Sequence, residues 1–317
     1  MNRSTNAADV SNTFWNEVCH GLSQEQKALP CKYLYDERGS DLFDQICETE
    51  EYYPTRTELE IMRDNADSIA YQIGKRVMLV EYGSGSSVKT RILLDALDEP
   101  ASYVPVDISE DHLLRTAEGL QLAYPHIEVL PVVADFTKPF DLPTSSCDHS
   151  HVALYFPGST IGNFTPAEAG ELLRFMASML GPQGGLLIGI DLQKDVSVIE
   201  AAYNDADGVT ADFSLNLLER INSELDGQFD LGNFEHKAVY NDVAHRMEMS
   251  IVSTVDQSVN VGDRVFHFEA GEEILTEYSH KYTVEGFADF AARFGFSLHK
   301  QWTDDREYFG VLHLVLD

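Results

Sequence analysis

Basic residues are what this chain most lacks: 22 Lys and Arg stand against 53 Asp and Glu, a formal net charge of −31 at pH 7. A surface of that sign repels phosphate backbones and disfavours a nucleic-acid substrate. Solubility or adaptation to salt accounts for the acidity, which by itself points to no partner. Apolar runs of the ~20 residues that span a bilayer are missing. The opening residues, MNRSTNAADVSNTF, contain no apolar core of a signal peptide. A soluble, cytoplasmic protein with no membrane partner is expected. Cysteine is sparse too. Cys19, Cys31, Cys47 and Cys147 lie far apart without C-x-x-C spacing, so reduced thiols are expected rather than a zinc site. The eleven histidines are scattered, and His236, His245 and His280 lack ligand-type spacing, so no metal is expected.

Two more absences bear on the one glycine-rich stretch, LVEYGSGSSVKT at 79–90. A phosphate loop needs Gly directly before its Lys, and here Val88 precedes Lys89. The dinucleotide fingerprint needs a third Gly three residues after the second, and Val88 holds that place as well. What remains is a strand ending in Glu81-Tyr82, a Gly83-Ser-Gly85 turn, and a helix carrying Ile92, Leu93, Ala96 and Leu97 on one stripe. Such a turn lets a ligand approach bare backbone beside a helix N-terminus. An ordinary tight turn has the same pattern, so residues further along the chain must decide between the two.

The 317 residues, 44% of them hydrophobic, suffice for one large α/β domain with an insertion, or for two domains. Residues 1–30 read as an amphipathic lead-in with Phe14, Val18, Leu22 and Leu29 apolar. Asp41 is placed to cap a helix bearing Leu42, Phe43 and Ile46. Pro54 breaks the chain, and 57–70 has helical spacing again. Tyr33, Tyr35, Tyr52 and Tyr53 crowd this region, and aromatics at that density are ordinarily packing residues. From 76 on, strands are expected at 76–82, 101–106, 127–133, 152–156 and 186–191, with helices between most of them. One helix opens with the capping box Thr165-Pro166-Ala167-Glu168 and stops at Gly181-Pro182. That alternation predicts a doubly wound parallel sheet.

Asp107 closes the second strand about twenty residues beyond the glycine turn, where open α/β folds place an acid on ribose hydroxyls. Asp135 and Phe136 end the third strand, and Pro157-Gly158-Ser-Thr-Ile-Gly162-Asn163 comes after the fourth. With Glu81, three acids stand at successive strand ends, which favours a ligand crevice over three helix caps. After Asp191 the pattern changes: 193–235 reads helical, 236–282 as strands, and FGFSLHKQW and YFGVLHLVL form two strands around TDDRE. A terminal hairpin closing a parallel sheet is unlike a dinucleotide dehydrogenase. It predicts the class I methyltransferase fold, a Rossmann-like α/β core over 56–192 and 281–317. An α+β substrate-binding lobe is expected from 1–55 and 193–280.

Five blocks in one order, KYLYDERGSDLFDQI with EYYPTRTE, then EYGSGSSVKT, FPGSTIGN and AGEEILTEYSHKY, resemble the histidine-specific, S-adenosylmethionine-dependent Nα-methyltransferases of ergothioneine biosynthesis. The resemblance covers nearly the whole chain. It implies three methyl transfers from S-adenosyl-L-methionine to the α-amino nitrogen of L-histidine; a monomer is expected. It further implies donor contacts at Gly83, Lys89, Asp107, Asp135 and Phe136. Gly158 and Asn163 match residues holding the acceptor's carboxylate and amine, Tyr203 a tyrosine on the carboxylate, and Tyr35 and Tyr52 tyrosines of the amino-acid pocket. Glu277 and Ser279 match the pair on the imidazole, with Met249 packed beside it. Tyr82 and Tyr278 depart from the family's motifs.

Chemistry of this kind needs a neutral amine held in line with an activated methyl, and little covalent help. Asn163 orients the nitrogen without titrating, Tyr35 assists by hydrogen bonding, and no dedicated general base is expected. Tyrosine faces suit the quaternary product. Two readings compete: a relative acting on another aromatic amino acid, and a protein that binds the donor without turnover.

Overall fold

Met78–Tyr82, five buried residues in succession, form the first strand, β1, and its pleat divides them between two layers. Met78, Val80 and Tyr82 join a hydrophobic cluster with Leu172, Leu173, Met176 and Phe287. Leu79 joins another with Ile61, Ile69, Leu93 and Leu120. A strand covered on both faces belongs at the centre of an α/β sheet. The computed structural model describes residues 3–85, 88–181 and 183–316. Ser86 and Ser87 of the glycine turn and Pro182 of the helix stop lie outside the described residues.

Ahead of β1 run α1 (Arg3–Leu22), α2 (Glu37–Glu48), α3 (Tyr53–Asp64) and α4 (Ala66–Ile73). After it come α5 (Val88–Ala96), β2 (Ser102–Asp107), α6 (Glu110–Ala123), β3 (Glu128–Val129), β4 (Val132–Val133), β5 (Val152–Phe156), α7 (Pro166–Leu180) and β6 (Gly185–Asp191). Next are α8 (Val196–Ala202) and α9 (Val209–Glu224), then β7 (Phe234–Asn241), β8 (Arg246–Ser253), β9 (Gln257–Val261), β10 (Arg264–Phe268) and β11 (Glu273–His280). Helix α10 (Val284–Ala292) and strands β12 (Phe296–Thr303) and β13 (Phe309–Leu316) finish the chain.

The chain divides into two compact units. One comprises Tyr53–Lys194 and the residues from Ser279 onward. Its sheet has the order β12-β13-β6-β5-β1-β2-β3, with β4 also paired to β2. From β6 to β3 and β4 all pairings are parallel, while β13 runs antiparallel to both β6 and β12. This is the class I methyltransferase arrangement expected from the alternating pattern and the closing hairpin. The other unit takes in the residues up to Tyr52 together with Asp195–Tyr278. It holds α1, α2, α8 and α9, the two-stranded sheet β9–β10, and most of a three-stranded sheet ordered β11-β8-β7. Among the described residues no helix is long and apolar enough to cross a membrane.

Several local expectations change for identifiable reasons. The third strand is two short pieces, because Pro131 lies between them and has no N–H for the ladder. The cap of α2 is Asp36, which accepts the Gly39 N–H at 2.7 Å, and Asp41 lies inside the helix. The 57–70 helix is α3 and α4, separated at Asn65 (φ −120°, ψ 12°). Pro54 sits in the first turn of α3, where no N–H is needed. The helical reading of 193–235 ends early, since β7 begins at Phe234. Helix α10, with Val284, Phe287 and Ala291 buried, occupies a span the sequence pattern leaves unassigned. The Thr165–Glu168 capping box with Pro166 forms as expected.

Glu81 faces the same layer as Leu79, where it accepts the Thr90 hydroxyl at 2.6 Å and the Tyr103 hydroxyl. It is a buried tie between β1, α5 and β2 rather than a crevice acid. Burial pushes its carboxyl up to about 7, against those two hydrogen bonds. The folded state therefore holds this proton to higher pH than the unfolded chain, and stability falls as pH rises toward the folded value. We expect Glu81→Gln to remove about 2 kcal/mol of the decline between about pH 5 and about pH 8. Urea unfolding of both proteins across that range measures the difference.

Candidate functional site

Backbone conformation opens the site. Gly83 (φ 70°) and Gly85 (φ 42°) follow β1 in the left-handed region, which side chains disfavour. A Cβ at Gly83 would lie 3.9 Å from Phe136, and Phe136 is stacked on Tyr82 with centroids 5.4 Å apart. Tyr82, the departure from the family motif, is fully buried and supports that ring. Asp107 ends β2 and accepts the Ser109 N–H at 2.9 Å, while burial raises its carboxyl against that bond. Asp135 accepts the Thr137 N–H at 3.1 Å and hydroxyl at 2.5 Å, and pairs with Lys138 at 3.3 Å. Gly83, Asp107, Asp135 and Phe136 thus stand at successive carboxyl ends of parallel strands. Bare backbone, a flat ring and a carboxylate are the groups a nucleoside needs, so the residues present fit the donor.

Lys89, on α5, forms an ion pair with Glu58 of α3. Glu58 is completely buried and also accepts the Gly158 N–H at 2.9 Å. Gly158 (φ 76°) and Ser159 (φ 59°) are both left-handed, so the chain reverses sharply after β5. The Ser159 hydroxyl oxygen accepts the Asp191 N–H at 2.8 Å. Asn163 ends the short helical turn Thr160–Asn163. Beside it, a Cβ on Gly162 would come within 2.9 Å of the His280 carbonyl oxygen, and His280 Nδ1 donates to Gly162 O at 2.9 Å. That close approach brings the Asn163 turn to the residue following Ser279.

Asp191, at the end of β6, is surrounded by donors. Tyr53 Oη donates to its two oxygens at 2.9 and 2.8 Å, and Lys194 and Lys281 lie at 2.6 and 2.7 Å. Burial alone would raise this carboxyl, but Lys281 and Lys194 hold it below the usual range. Burial brings Lys194 down to about 8 despite Asp191. Lys281 also donates to Ser279 Oγ at 2.8 Å. None of Glu58, Tyr53, Asp191, Lys194 and Lys281 stands out by sequence reasoning. The available signal was an acid closing the otherwise apolar strand GLLIGID, with Lys three residues on.

In the other unit, Tyr35, Tyr52 and Tyr203 share one aromatic cluster. Tyr52 meets Tyr203 at 6.2 Å and Phe43 at 6.1 Å, and Tyr35 meets Phe43 at 5.6 Å and Phe213 at 5.3 Å, all edge-on. Burial, then the Glu277 carboxylate, pushes the Tyr35 phenol well above its ordinary value. Burial and Tyr203 do the same for Tyr52. Both phenols therefore stay protonated. His236, kept neutral by burial, donates from Nε2 to the Tyr203 carbonyl at 3.0 Å and faces the Ser214 hydroxyl with Nδ1 at 2.8 Å. Met249 is buried on β8, and its carbonyl accepts the Thr276 hydroxyl at 3.0 Å, one residue before Glu277. Tyr278, the second departure, lies under the Arg246 guanidinium at 3.6 Å.

A family model described as histidine-specific methyltransferase, SAM-dependent, matches residues 14–316. A histidine N-alpha-methyltransferase of Mycobacterium tuberculosis is 40% identical over 301 residues, 93% of this chain and 92% of that protein. Its counterpart in Mycolicibacterium smegmatis is 41% identical over 304 residues, with the same two shares. Ergothioneine biosynthesis protein 1 of Neurospora crassa is 31% identical over 297 residues, 91% of this chain but 33% of that longer protein.

Removing Glu58 leaves the Lys89 charge and the Gly158 N–H without their common partner. Glu58→Ala is expected to cost on the order of 3 kcal/mol. Glu58→Gln, which keeps an acceptor for Gly158, is expected to cost less. Urea unfolding of the two variants checks the order.

Proposed function

The chain belongs to the histidine-specific, S-adenosylmethionine-dependent methyltransferases, and on that premise we propose that it methylates the α-amino nitrogen of L-histidine three times. The product is Nα,Nα,Nα-trimethylhistidine, the first intermediate of ergothioneine biosynthesis. The observation that carries this reading is the match along nearly the full length of histidine N-alpha-methyltransferases. The donor supplies an already activated methyl, so the protein's tasks are to hold a neutral amine in line and to exclude water. In this reading Gly83, Asp107, Asp135 and Phe136 hold the donor, and Lys89 supports it from its pair with Glu58. Asn163 is assigned to the amine, and Gly158 and Tyr203 to the carboxylate.

Tyr35 and Tyr52 are the wrong species for bases, since their phenols stay protonated. They serve as hydrogen-bond donors and as ring faces for a nitrogen that ends as a quaternary cation. Glu277 accepts an imidazole N–H, Ser279 meets the ring, and Met249 packs against it. An indole or phenyl side chain cannot offer Glu277 an N–H in the geometry of the imidazole, which favours histidine over either.

Histidine incubated with the protein and donor is expected to gain one, two and then three methyl groups by mass spectrometry. No mass gain overturns the assignment. Glu277→Ala is expected to relax the preference for histidine over tryptophan in competition kinetics while leaving S-adenosylhomocysteine affinity intact. Unchanged selectivity removes Glu277 from that role. Tyr35→Phe should lower kcat by about tenfold, the scale of one hydrogen bond, and leave the shape of the pH–rate profile unaltered. A lost limb in that profile would identify Tyr35 as a base.

A further inference from the structure

Lys281 has no place in the proposed reaction, yet it is one of the most deeply placed charges in the chain. Its side chain is wholly buried, and a lysine in that state needs a reason. Asp191 supplies the countercharge at 2.7 Å. Asp191, however, is already served by Lys194 at 2.6 Å and by the Tyr53 hydroxyl. One carboxylate therefore faces two ammonium groups, and charge balance alone does not call for the second. What distinguishes Lys281 is its other bond, to Ser279 Oγ at 2.8 Å.

That bond has a fixed direction. An ammonium carries three donors and no acceptor, so the serine oxygen accepts and its hydrogen is turned away from Lys281. Resting on the reading of Ser279 as a ring contact, we propose that Lys281 is a positioning residue that orients the Ser279 hydroxyl as a hydrogen-bond donor toward a ring nitrogen of the acceptor. Asp191 fixes the ammonium, which is why a buried pair and not a lone lysine stands behind Ser279. The same acid donates its N–H to Ser159 in the turn after Gly158, so Ser279 is referenced to the turn assigned to the acceptor's carboxylate and amine.

A double-mutant cycle of Lys281→Met and Ser279→Ala tests this, with histidine KM, kcat and S-adenosylhomocysteine affinity as readouts. The expected result is that each single change raises histidine KM by about tenfold, with kcat and affinity for S-adenosylhomocysteine nearly unchanged. The double variant is expected to match Ser279→Ala alone, because Lys281 acts through that hydroxyl. Additive losses, or a loss from Lys281→Met in kcat and S-adenosylhomocysteine affinity alike, would show a general structural role and overturn the proposal. If Ser279→Ala itself leaves histidine KM unchanged, the reading of Ser279 fails instead, and the proposal with it. Should Lys281→Met not fold, Asp191→Asn, which keeps an oxygen for the Tyr53 hydroxyl, takes its place in the cycle. Non-additivity with Ser279→Ala again supports the proposal, and additivity overturns it.

Discussion

A carboxylate is costly to bury alone, and two buried carboxylates tie together the turns at the carboxyl ends of β5 and β6. Glu58 accepts Lys89 from the helix after the glycine turn and the N–H of Gly158 from the turn after β5. Asp191 accepts Tyr53, Lys194 and Lys281, and through its N–H restrains Ser159. Taking such charges out of water costs several kcal/mol each unless partners are in place. Each acid therefore demands a specific geometry of its neighbours, which apolar packing, indifferent to direction, does not impose. Hydrogen bonds and the Gly158–Ser159 backbone link α5 to Ser279 in one series.

The other unit uses a different physical device. Tyr35 is set edge to face with Phe43 and Phe213, and Tyr52 with Phe43 and Tyr203, an arrangement favoured by ring quadrupoles. Burial keeps the Tyr35 and Tyr52 phenols protonated, and the nearby Glu277 charge reinforces that state. A methyl transfer from an activated donor needs such an environment: apolar, able to donate hydrogen bonds, and tolerant of a growing cation. It does not need a strong base. The Tyr203 carbonyl is held by His236, whose neutral form is the one burial selects.

Much of the architecture was legible in local pattern. Strand 152–156 appears with the bounds expected, and the Thr165 capping box forms with both of its hydrogen bonds. The terminal hairpin, read from two apolar segments around TDDRE, closes the sheet. Errors occurred where one residue outweighs periodicity. Pro131 splits a strand, Asn65 interrupts a helix, and Asp36 takes the cap in place of Asp41. The glycine turn, Asp107 and Asp135 lie at strand ends as expected, while Glu81, grouped with them by position, points into the core because the pleat turns it the other way.

By itself, the order of residues determined the alternation of strands and helices, the glycine turn and the motif blocks that identify the family, because those signals are repeated over short spans. The tertiary structure alone decided that Glu58 meets Gly158, one hundred positions away, and that Lys281 reaches both Asp191 and Ser279. Where the partners are far apart in the chain, as Glu58 and Gly158 are, the local sequence does not name them. The partner is chosen by whichever donors the folded sheet brings within hydrogen-bond distance, and by the cost of leaving the charge without one.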